Sequence, residues 1–253
     1  MGICLGVEGG GHKRRGSLRK EPNPRNTAMN AKIQAALAAK IEENKGMEHP
    51  ITLERILLKF DKLQDVLGYV KDVFTQLSDD GQGLDSEQLG RALTMLKGRS
   101  SPEEVENIFH FSDLEQNTKV NLQEFVVALT VAIVLNIIDF GPATEKVQLA
   151  PSPRRASISS FFGHPKEVWN MLELIISAYL LFDTEGVGYI ERDRVESLLE
   201  ESGHKNGSNS MLTNDRWKEL DWDSDGKIDL AEFVNAFTKW VDFDNVLEGE
   251  EAD

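Results

Sequence analysis

Apolar residues in this chain recur at helical spacing in short blocks, and the blocks come in pairs around polar, acid-rich stretches. "VKDVFTQL" and "QLGRALTML" bracket the first such stretch, and "VENIFHF" and "EFVVALTVA" the second. "MLELIISAYLLF" and "VESLL" bracket the third, and "RWKEL" and "EFVNAFTKW" the fourth. Apolar positions three and four apart place one stripe along a helix, so the pattern predicts four helix–loop–helix units. One apolar residue stands inside each polar stretch: Leu84, Val120, Ile190 and Ile228, spaced 36, 70 and 38 residues apart. The two short spacings imply two lobes of paired units, and the long one a linker between them. "SPEE" (Ser101 to Glu104) reads as a helix start with Pro in the first turn and a capping box. The apolar run Phe125 to Leu135 is too short to span a bilayer and predicts a buried helix. Upstream, Met29, Ile33, Leu37 and Ile41 stand four apart in an alanine-rich stretch, an amphipathic helix that either packs on a lobe or serves as an autoinhibitory or partner helix.

The polar stretches carry the chemistry. Residues 221 to 232, "DWDSDGKIDLAE", follow the twelve-residue calcium loop of an EF-hand, which offers oxygens at positions 1, 3, 5, 7, 9 and 12. Asp221, Asp223 and Asp225 supply carboxylate oxygens, Lys227 a backbone carbonyl, Asp229 a direct or water-bridged contact and Glu232 a bidentate carboxylate, while Gly226 allows the sharp turn. The second loop, Asp113 to Glu124, offers a weaker set: Asp113, Glu115, Asn117, the Lys119 carbonyl, Asn121 and Glu124. Its Thr118 stands where glycine is preferred, and a positive φ is costly for a branched side chain. In the third loop, Asp183 to Arg194, Val187 and Arg194 replace oxygen ligands, so it is expected to be structural, with Arg194 reaching back to Asp183 or Glu185 in place of an ion. The first loop, from Ser78 to Gln88, is one residue short and is expected to bind nothing.

These residues resemble the calmodulin-like EF-hand proteins, and most of all the longer plant-type calmodulin-like proteins, over roughly residues 51 to 245. "DWDSDGKIDLAEFVNAFTKWV" carries much of that likeness. The resemblance implies an all-α fold of two EF-hand lobes, with Ca2+ as the cofactor. The expected organisation is a disordered basic segment with acylation signals at 1–27 and a helical extension at 28–60. Lobe 1 follows at 61–138, a linker at 139–165, lobe 2 at 166–241 and an acidic tail at 242–253.

Charge sharpens this picture. The net charge is −15, yet residues 1 to 48 hold nine Lys/Arg against five Asp/Glu, so the body is strongly acidic and the leading segment basic. An acidic body repels phosphates and argues against nucleic acid as a partner; it suits cations and basic peptides. A single cysteine, Cys4, excludes a disulfide framework and a cysteine-based zinc site, and fits a reducing compartment. "MGIC" offers Gly2 for N-myristoylation and Cys4 for palmitoylation, with Lys13, Arg14, Arg15, Arg19 and Lys20 as a basic supplement. Ser17 in "RRGS" and Ser157 in "RRAS" suit a basophilic kinase, and phosphate at Ser17 would weaken a basic membrane patch. The five histidines are scattered and form no nucleophile–base set, so the reading is not an enzyme.

The function expected from all this is a calcium sensor in the cytoplasm, anchored to the cytoplasmic face of a membrane. It would expose a groove lined by Trp169, Met171, Leu172, Phe233, Phe237 and Trp240 to a target protein with a basic amphipathic helix. The alternative is a constitutive regulatory or scaffold subunit whose calcium is structural.

Overall fold

The computed structural model describes residues 24–45, 61–79, 81–96, 99–138, 165–195 and 217–240. Among them run seven α-helices: α1 (Pro24–Lys45), α2 (Asp61–Leu77), α3 (Ser86–Met95), α4 (Pro102–Ser112), α5 (Leu122–Val134), α6 (Pro165–Phe182) and α7 (Leu230–Trp240). Short helical turns occupy 192–195 and 217–220, completing the third and fourth units. Two two-residue strands, β1 (Ile190–Glu191) and β2 (Lys227–Ile228), pair antiparallel. The fold is all-α, as the periodicity predicts.

Helix starts follow local chemistry. Asp85, Ser101 and Asn121 cap α3, α4 and α5, and in each case the third helical residue (Gln88, Glu104, Glu124) returns the bond to the cap backbone. Such capping contributes about 1 kcal/mol per helix. The Ser101 backbone and hydroxyl bonds to Glu104 hold that carboxyl below its usual range. α1 begins at Pro24, inside the stretch expected to be disordered, because proline suits the first helical turn. Residues 46–60, the rest of the expected helical extension, lie outside the described residues, as do Gly2, Cys4, Ser17, Ser157, most of the linker and the acidic tail.

α5 is the centre of the molecule. Every residue from Glu124 to Val134 is buried, and the helix packs against α1, α2, α3, α4, α6 and α7. A helix covered on all sides has no polar face to keep, which accounts for its run from Phe125 to Val134 being apolar but for Thr130. The two pairs of units are joined by this packing: α7 lies against α5, and α2 lies against α6, within one hydrophobic core running from Met29 to Phe237. Phe74 meets Phe125 at 5.9 Å between centroids, and Tyr179 meets Phe233 edge-on at 5.5 Å.

Within each pair the loops touch through their single apolar residues. Leu84 and Val120 exchange both backbone hydrogen bonds at 2.8 Å, and Ile190 stands opposite Ile228. All four are buried. Gly83 is needed for the first contact, since a Cβ there would stand 2.8 Å from that of Lys119.

Candidate metal centre

Three loops share one backbone conformation. Positions 4 and 6 have left-handed φ in the second loop (Gln116 54°, Thr118 66°), the third (Gly186 70°, Gly188 85°) and the fourth (Ser224 60°, Gly226 84°). The second loop thus holds this shape although Thr118 occupies the turn, at a cost of about 1–2 kcal/mol.

The difference lies in what the first aspartate of each loop touches. In the second loop, Asp113 accepts hydrogen bonds from the N–H groups of Asn117 and Thr118, both at 3.0 Å and one to each oxygen. In the third, Asp183 accepts from Val187 and Gly188, both at 2.8 Å, again one to each oxygen. In the fourth, Asp221 Oδ2 accepts from Gly226 N–H at 3.2 Å, but Asp221 Oδ1 is buried with no hydrogen-bond partner. A buried carboxylate oxygen without a donor is costly and calls for a cation.

The surroundings fit a hard cation. One oxygen each from Asp221, Asp223 and Asp225 converges within 4.8 Å. Among the described residues, the second loop has no comparable convergence of three acidic side chains. Burial, then the charge of Asp225, raises Asp223 above its ordinary pKa. Burial and neighbouring carboxylates likewise raise Asp229 and Glu232. Bringing these carboxylates together is therefore unfavourable in their charged form, and a divalent ion relieves both the mutual repulsion and the desolvation of the buried members. Carboxylate and carbonyl oxygens select calcium or magnesium over softer metals.

Asp229 and Glu232 also hold each other. Asp229 Oδ1 accepts from Glu232 N–H at 2.9 Å, and Asp229 N–H donates to Glu232 Oε2 at 3.0 Å, a capping box at the start of α7. Glu232 Oε1 accepts from Trp222 and Asp223 N–H. Glu124 repeats this in the second loop, accepting from Glu115 and Asn121 N–H, and burial raises its pKa. There Glu115 accepts from the Asn117 side chain, and Asn117 Oδ1 from Lys119 N–H, so these candidate ligands are engaged with one another.

The third loop corrects one expectation. Arg194 forms no hydrogen bond or ion pair with Asp183 or Glu185, and its Nε is buried without a partner. Each Asp183 oxygen already accepts a backbone N–H, so neither is left without a donor for a cation to relieve. The first loop closes on itself: Ser78 Oγ donates to the Gly83 carbonyl at 2.9 Å, and Gln88 Nε2 donates to Asp79 at 3.0 Å. Ser78 and Gln88 thus tie together a loop whose ends lack the usual carboxylates.

The expected groove residues are core in this structure. Met171, Leu172, Phe233 and Phe237 are buried, Trp169 is partly buried against the core, and the Trp240 side chain lies outside the described residues. The exposed aromatic beside the ion site is instead Trp222, 47% exposed, with Lys239 over its ring at 5.0 Å. Its place at the second loop position was legible; its exposure was not. Among the described residues, no helix is long and apolar enough to cross a membrane.

Comparison with known proteins agrees with this geometry. Residues 80–132 match the EF-hand domain pair family. The chain is 29% identical to "Probable calcium-binding protein CML22" of Arabidopsis thaliana over 88% of its own length and 94% of that protein. It is 27% identical to "Probable calcium-binding protein CML21" of the same plant over 93% of itself and 94% of the relative. "Calcium-dependent protein kinase 19" of Oryza sativa subsp. japonica is 23% identical over 81% of this chain, which spans only 32% of the kinase. Residues 80–132 thus carry an EF-hand domain pair, and along nearly its whole length the chain is similar to calmodulin-like calcium-binding proteins.

Proposed function

We propose that the protein is a calcium sensor whose fourth loop is the principal site. Asp221, Asp223, Asp225, the Lys227 carbonyl, Asp229 and Glu232 hold the ion. The observation that carries this is the buried, partnerless Asp221 Oδ1 beside converging carboxylates. When bound, the ion supplies positive charge, while the residues supply its cage and Glu232 ties that cage to α7. The second loop, with Asp113, Glu115, Asn117, Lys119, Asn121 and Glu124, is a weaker site, because both Asp113 oxygens are already engaged. The target is a protein with a basic amphipathic helix, complementary to the acidic body. Tethering through Gly2 and Cys4 at the cytoplasmic face of a membrane belongs to the same reading; the basic cluster from Lys13 to Lys20 supports it. Membrane fractionation of Gly2→Ala tests the tether.

Calorimetry with apolar-dye binding tests the sensor. Wild type should show a tight calcium step with a rise in dye binding, and Glu232→Gln should lose both. A second reading, a scaffold whose calcium is structural, is favoured by the burial of Met171, Leu172, Phe233 and Phe237. It predicts a higher melting temperature with calcium and flat dye binding.

A further inference from the structure

The third loop has lost its ion ligands yet keeps glycine at both left-handed positions. The fourth loop places Ser224 at the first of these, so the conformation alone does not demand glycine there. What demands it is α1. A Cβ on Gly186 would stand 3.1 Å from the Ala38 Cα and 3.1 Å from Ile41 Cδ1, and a Cβ on Gly188 would stand 3.1 Å from the Gln34 Cβ. Nothing lies within 4 Å of the same point on Gly226. The small Ala38 and the two glycines let helix and loop backbones meet closely. Lys40 then pairs with Glu173 of α6 at 2.8 Å, both partly buried. On its other side α1 packs against α4 and α5, with Met29, Ile33 and Leu37 buried. One rigid helix of 22 residues therefore touches both pairs of units.

We propose that the third loop is a helix-docking site with α1 as its intramolecular ligand, and that α1 docking and calcium at the fourth loop oppose each other. This rests on the sensor reading above. The coupling runs through β1 and β2, which join the third loop to the fourth, and through α7, which carries Glu232 in its first turn and packs on α5. A shift of the third and fourth loops against α5 breaks a seat that needs both surfaces in register. By reciprocity, loosening α1 strengthens calcium binding.

The test is hydrogen exchange of residues 24–45 in the full chain with and without calcium, together with calorimetric calcium affinity. In wild type, calcium should speed exchange in α1 about tenfold or more. Ala38→Leu should do so without calcium and tighten calcium binding by about threefold or more. Ala39→Leu, on the exposed side of the same helix, should do neither. Gly186→Asn repeats the experiment from the loop side, because asparagine accepts a left-handed φ and only its side chain opposes α1. Exchange in α1 that ignores calcium, or an affinity unchanged or weakened in Ala38→Leu and Gly186→Asn, overturns the proposal. Tight calcium and dye responses with an unmoved α1 would leave the sensor standing and remove the docking site. A wild type that binds no calcium tightly would remove both.

Discussion

Ile190 of the third loop and Ile228 of the fourth stand opposite each other as strand partners, both buried, so a loop without ion ligands braces the loop that has them. Truncating either side chain leaves a cavity under the pair. Ile190→Ala should cost about 2–5 kcal/mol of stability and weaken calcium binding at the fourth loop, although Ile190 is no ion ligand. Denaturant unfolding and calorimetry read the two effects; an unchanged affinity would show that the loops act independently.

Asp221 should trade stability for affinity. Its Oδ1 is buried without a donor, so Asp221→Asn removes a repelling charge from the metal-free protein while damaging the ion cage. The metal-free variant should melt no lower than wild type, and its calcium affinity should fall at least about tenfold, roughly 1.4 kcal/mol. Emission from the exposed Trp222 should lose its calcium response in parallel.

The pH dependence has a definite sign. Burial, then the Asp229 charge, pushes Glu232 from an ordinary 4.5 to about 8. Between those values the unfolded chain has released the proton and the folded metal-free chain still holds it. The unfolded state binds fewer protons there, so metal-free stability falls as pH rises from 4.5 to about 8. Calcium needs the deprotonated ligands, so its affinity should rise over the same window. Melting curves across pH, with chelator and with saturating calcium, check this; a metal-free curve that climbs through the window contradicts it.

Tyr179 is fully buried, and its hydroxyl has no hydrogen-bond partner. Burial also holds its ionisation above the ordinary range. Tyr179→Phe keeps the edge-on contact with Phe233 and removes the orphaned group, so it should stabilise the protein by about 1 kcal/mol. A loss of stability would mean the hydroxyl has a role that this packing does not reveal.

Thr118 tests the second loop. Its φ of 66° suits glycine better, and Thr118→Gly should relieve about 1 kcal/mol of strain. Stability should rise, and a weak calcium step should strengthen without changing the tight one.

Local signals in the chain determined much of this protein. Spacing alone marked the four units, the capping box at Ser101 and Glu104, the facing apolar residues of each loop pair, and the ligand pattern from Asp221 to Glu232. Each depends on residues only a few positions apart, or on a repeat that copies them. The tertiary structure decided what depends on distant neighbours. It packed α7 onto α5 and buried Met171, Leu172, Phe233 and Phe237, because an apolar stripe reads the same whether it lines a groove or a core. It gave each oxygen of Asp183 a backbone donor and left the Arg194 guanidinium out of contact with them. It also set Ala38 against Gly186, a contact across nearly 150 residues that no local pattern encodes, since small residues announce a close approach without naming the partner.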